Sequence, residues 1–112
     1  MKITRVKDTT IKETPHKIDV RFVYDHPEAQ LAHMLLKPGE ALKPHITPVD
    51  VFIYVLEGVA TITIGEKTAS VEKDAVVESP MDIVHFIANE TDRNLRVLVC
   101  KTPKPTKAGI IL

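Results

Sequence analysis

The chain has 112 residues, enough for one domain with a real core and too few for two. Fifteen basic residues balance fifteen acidic ones, which argues against a nucleic-acid surface, and no apolar run reaches the ~20 residues of a membrane-spanning helix. The single cysteine, Cys100, excludes an internal disulfide, and the start Met1-Lys2-Ile3-Thr4-Arg5 lacks an apolar leader, so the expected location is the reducing cytoplasm.

Residues 1–17 are expected to form an arm lying on an edge strand or on a neighbour; His16 and His26, beside prolines in polar surroundings, read as surface-loop residues. Ile18 to Tyr24 alternates apolar and polar residues and is closed by Asp25-His26-Pro27. Leu31 to Leu36 is an apolar run ended by the turn Lys37-Pro38-Gly39-Glu40. One parity of that run, Ala32, Met34 and Leu36, makes the cleaner core face and puts Met34 inside; His33 reaches the interior only on the other parity.

Val51 to Leu56 is continuously apolar, so both of its faces need cover. Val51, Ile53 and Val55 fill the interior. Phe52 and Tyr54, two of the five aromatic residues, stand on the opposite face with Asp50 and Leu56, and a second copy of the chain could cover them. A homodimer is therefore expected. After Glu57-Gly58 come Val59 to Ile64, Thr68 to Val71, Ala75 to Glu78, His85 to Ala88 and Leu95 to Lys101. On the last strand, a solvent-facing Lys101 would turn Leu98, Cys100 and Thr102 inward. Residues 103–112 begin Pro103-Lys104-Pro105 and end Ile110-Ile111-Leu112, a tail that either docks or is disordered. Short strands at this spacing, with glycine and proline at the joints, predict an all-β sandwich or barrel.

Two spaced motifs sharpen that prediction. Gly39, His45, Thr47, Val51 and Gly58 form the first; Pro80, Asp82, His85 and Asn89 form the second. Their spacing resembles the two signatures of the cupin superfamily, over roughly residues 30–102. The resemblance implies a double-stranded β-helix, a conical jelly-roll barrel of antiparallel strands with a pocket at its mouth. It also implies that positions 45, 47, 51 and 85, which in the family are two histidines, a glutamate and a third histidine, converge on one metal ion. Here those positions read His45, Thr47, Val51 and His85, so two imidazoles remain while a hydroxyl and an aliphatic side chain replace the other two ligands. Asp50, the nearest carboxylate, is one residue out of phase and should leave the opposite face. Asp74-Ala75 stands where the family has Gly-Asp, and Asp82 replaces a turn glycine. The pattern gives Asn89 the role of ending its strand and bonding within the turn.

The functional expectation is a small-molecule-binding barrel of one domain, residues 1–112. Its pocket would be lined by Met34, His45, Thr47, Val51, Ile53, His85, Leu98 and Cys100. His45 and His85 would hold at most a weakly bound divalent transition metal, and without one they would bond to water, to Thr47 or to an anion. The ligand would offer a carboxylate or hydroxyl to His45, Thr47 or His85. Cys100 is open to three roles: apolar filler, metal ligand or reactive thiol. The alternative is a metal-dependent dioxygenase or isomerase that recruits His33 or Cys100 as a third ligand. A barrel with an idle pocket, acting as an interaction scaffold, is the third reading. No glycine-rich phosphate loop, nucleophile–base pair or paired acids suggest other chemistry.

Overall fold

Alternation of apolar and polar residues over short segments builds ten strands in a computed structural model that describes residues 1–112. They are β1 (Asp19–His26), β2 (Ala29–Leu36), β3 (His45–Ile46), β4 (Asp50–Glu57), β5 (Val59–Ile64), β6 (Lys67–Glu72), β7 (Val76–Ser79), β8 (Val84–Ala88), β9 (Leu95–Thr102) and β10 (Ile110–Ile111). Two five-stranded sheets result, ordered β1-β2-β9-β4-β7 and β10-β3-β8-β5-β6, with every pairing antiparallel. The consecutive strands β4 and β5 lie in different sheets, as do β7 and β8, so the chain crosses between layers and winds a jelly roll.

The core lies between the inner faces and contains Val20, Ala32, Leu36, Val55, Ile62, Ile87 and Val97 among its fifteen buried apolar residues. Gly58 makes the sharp exit from β4: its φ is +83°, and a Cβ there would stand 2.5 Å from the Asn94 carbonyl oxygen. Asp82 occupies its turn at φ 62°, a left-handed conformation that aspartate tolerates. Asn89 is fully buried. Its Nδ2 donates to the carbonyls of Leu36 and Arg93, and its Oδ1 accepts from the Thr91 amide and hydroxyl, which ties the end of β8 to β2.

The N-terminal arm lies on the edge strand β1. The Arg21 guanidinium is held by the Asp19 carboxylate and donates to the carbonyls of Val6 and Thr9, while the Lys12 amide donates to Val20 O. The tail docks. Its last residues add β10 to the edge of β3, with Ile110 opposite Ile46 and Ile111 opposite His45.

Strand parity departs from expectation on β9. Leu95, Val97 and Val99 fill the interior, so Lys101 points inward with them and Cys100 points out. Arg96 and Lys101 have opposite parity, so one of the two cations had to face the interior. Three apolar residues on the Lys101 face outweigh the cost of turning its amine inward, since a lysine can bury its stem while its head reaches a wet cavity.

Candidate functional site

The two sheets splay apart to enclose a cavity of about 270 Å³. Its polar end is assembled from both. The second sheet contributes His45 from β3 and His85 from β8, which are directly paired across the ladder. The first contributes Val51 from β4, which lies between Ser79 of β7 and Lys101 of β9. Thr47 follows β3 and faces inward because it is two residues beyond His45.

Hydrogen bonds fix how the imidazoles are protonated. His45 Nδ1 lies 2.8 Å from the Lys43 carbonyl, which can only accept, so the proton is on Nδ1 and Nε2 carries a lone pair. His85 Nε2 is 3.0 Å from that Nε2 and so donates to it. His85 Nδ1 then accepts from the Ser79 hydroxyl, and Thr47 Oγ1 sits 3.0 Å from His85 Nε2 as a second acceptor. A third imidazole, His16, reaches the site from the arm: its ring centroid is 4.7 Å from that of His45, and its Nδ1 accepts from the Lys43 amide.

This cluster is uncharged near neutrality. Burial, then the charges of His45 and Lys101, lowers His85 to about 4. His16 is also lowered to about 4, by burial first and then by His45, Lys101 and Lys43. Burial lowers His45 as well, against the raising effect of the Lys43 carbonyl. Lys101 is the one cation on the wall. It takes part in none of the four ion pairs of the molecule, and burial lowers its pKa.

Of the residues expected to form the pocket, Met34, His45, Thr47, Val51, Ile53 and His85 line the cavity. Leu98 and Cys100 do not. They face the outside of the first sheet opposite Tyr54 and Phe52, a correction that follows from the parity of β9. His33 is on that outside face too, buried at 3% exposure, with Nε2 accepting from Arg96 Nε and Nδ1 left without a partner. Neither His33 nor Cys100 can therefore serve as a third metal ligand beside His45 and His85. His16, Ser79 and Lys101 escaped the sequence reading. The conflict of parity between Arg96 and Lys101 was the available signal for Lys101, whereas nothing near His16 in sequence reveals that the arm turns back to the mouth.

The donor set does not fit the tightly held divalent cation that the fold implies. No three His, Cys, Asp or Glu side chains are arranged to hold one. In the protonation pattern above every imidazole lone pair is engaged, His45 Nε2 by His85, His85 Nδ1 by Ser79 and His16 Nδ1 by the Lys43 amide. Val51 stands in the carboxylate position, and the Lys101 ammonium opposes a second positive charge.

Comparison with known proteins agrees with this architecture. A family model, the cupin domain, matches residues 32–101. The chain belongs to the cupin domain family. This cupin is similar in structure to the protein TT1209 from Thermus thermophilus, at 26% identity and a TM-score of 0.81, covering 94% of this chain and 100% of that one. It is also similar to the polyketide cyclase RemF from Streptomyces resistomycificus, at 19% identity and a TM-score of 0.84, over 100% of this chain and 85% of the other. An RmlC-like cupin family protein with a double-stranded β-helix fold from Methanocaldococcus jannaschii aligns at 21% identity and a TM-score of 0.73, over 85% and 88% of the two chains. A search of curated protein sequences finds no match.

Proposed function

We propose that this cupin binds a compact, mostly apolar molecule through a carboxylate or similar oxygen acceptor held at the polar end of its cavity. One observation carries the reading: the wall includes Lys101 and three imidazoles, and no lining residue is Asp or Glu. An ammonium without a counter-charge in a partly desolvated cavity is an anion site by elementary electrostatics, and charge-assisted hydrogen bonds are the strong kind. The Thr47 hydroxyl on the same wall supplies a further hydrogen bond, and Ser79 acts behind it by holding His85. Met34, Ile53, Val99 and Leu42 give the rest of the wall to an apolar body.

Thermal-shift and calorimetric titration with benzoate, benzyl alcohol and benzylamine tests this reading at constant ring size. Benzoate should bind best and benzylamine worst, and Lys101→Met should erase the preference for the acid. Tighter binding of benzylamine than of benzoate would overturn it.

A further inference from the structure

We propose that Lys101 is a nucleophile that forms an imine with an aldehyde or ketone seated in the cavity. The inference goes beyond the binding reading above: it concerns the same cavity and the same lysine, but gives Lys101 a covalent role that does not require a bound anion.

Position argues for it first. Of the eleven lysines, nine are exposed and Lys104 is paired with Asp25 at 2.8 Å; Lys101 alone points into a cavity. Its cross-strand neighbours are Gln30 and Val51, both uncharged. Val51 holds the place where the family resemblance implied a glutamate, so the side chain that would have captured the ammonium is missing. Gln30 lines the same cavity, with its Nε2 donating to Asp25 Oδ1, and carries no charge to offset the ammonium. The remaining polar groups on the wall are imidazoles and the hydroxyls of Thr14 and Thr47, none of which can neutralise an ammonium. A lysine desolvated and left without an anion is the arrangement that turns an ammonium into a usable amine. Burial accordingly lowers the Lys101 pKa, and every unit of lowering raises the amine fraction about tenfold near neutrality.

The step balances without any oxidant or reductant. The amine lone pair attacks the carbonyl carbon, the C=O π pair moves to oxygen, and one N–H proton ends on that oxygen to give a carbinolamine. The C–O bond then breaks as the nitrogen lone pair forms C=N, and the second N–H proton leaves with the hydroxyl as water. His45 Nε2, the unprotonated nitrogen that accepts from His85 on the same cavity wall, can exchange that bond for the proton shed by nitrogen and return it to the departing oxygen.

The test is reductive trapping. The intact protein is incubated with benzaldehyde and cyanoborohydride, and adducts are located by mass spectrometry of the whole chain and of its peptides. The expected result is one benzyl group on Lys101, formed about ten times faster than on any exposed lysine. Lys101→Arg should abolish the fast adduct while exposed lysines keep their slow rate, with circular dichroism checking that the variant is folded. A second variant, Val51→Glu, leaves the lysine in place, restores a carboxylate opposite it, and should slow trapping about tenfold. Equal labelling of all lysines, or fast trapping undiminished in Val51→Glu, would overturn the inference. Benzoate separates the two proposals. If it binds and Lys101 is not trapped, the imine fails alone; if Lys101 is trapped and benzoate does not bind, the anion-binding reading fails and the nucleophile stands.

Discussion

His85 and His33 are both buried in this small barrel, at 5% and 3% exposure, yet they have opposite surroundings. His85 faces inward from β8, and both of its nitrogens are engaged by neutral groups: Ser79 on one side, His45 and Thr47 on the other. His33 faces outward from β2 toward Arg96 and Arg21, partly offset by Asp19 and Glu57, with Nδ1 unpaired. Burial lowers the pKa of both. The comparison teaches that burial alone does not mark a functional histidine in a sheet protein. What differs is whether the side chain's parity carries it to the cavity and whether its hydrogen bonds are complete.

Acid should distinguish the two most strongly. His85 is held neutral with a pKa of about 4 against an ordinary 6.5, so the unfolded chain binds its proton first. Its contribution is fully present above pH 6.5 and is lost as the pH falls toward 4, amounting to roughly 3 kcal/mol over that window. Urea unfolding at a series of pH values should show this slope, and His85→Leu should flatten it more than His33→Leu does. A slope unaffected by His85→Leu would assign the acid sensitivity elsewhere.

At neutral pH, His85→Leu should itself cost about 2 kcal/mol, because the buried Ser79 hydroxyl loses its only partner. Urea midpoints at pH 7 measure it, and an unchanged midpoint would break the claim that this network is complete for a reason. Val51→Glu should lower benzoate affinity about tenfold by occupying Lys101 with an internal counter-charge, read by calorimetry. Smallest is His33→Leu. The gain from removing an unpaired donor offsets the loss of the Arg96 contact, leaving a net change under about 1 kcal/mol. A loss equal to that of His85→Leu would erase the contrast.

The fold was legible because glycines and prolines punctuate it at fixed spacing and because most strands carry an unambiguous apolar face. β4 is the clear instance: Val51, Ile53 and Val55 are buried, and the residues between them are not. Half of the site followed from the same parity, since His45, Thr47 and His85 lie on strands or turns whose phase the motifs fix. The misread half depends on longer-range facts. Cys100 and Lys101 exchanged faces because a single lysine was assigned to solvent, although Leu95, Val97 and Val99 outvote it. His16 is brought to the mouth by the path of the arm, and Ser79 by pairing with β4, neither of which leaves a local mark in the sequence.

The tail has a kinetic consequence. It is fastened to the first sheet by the Lys104 amide on the Pro27 carbonyl and by Lys104 with Asp25, and to the second by β10 and by the Leu112 amide on the Pro44 carbonyl. Between these anchors, Ala108 and Gly109 cross the mouth of the cavity. Detaching the strap uncovers the mouth without disturbing any of the fifteen core residues, so it belongs to the low-energy end of the molecule's local openings. For a guest held as proposed above, the rate of entry and exit would thereby be uncoupled from how tightly it is held once inside. Because one anchor is a partly exposed ion pair, added salt should speed exchange at nearly constant fold stability, with the amide protons of the last strand as its reporter.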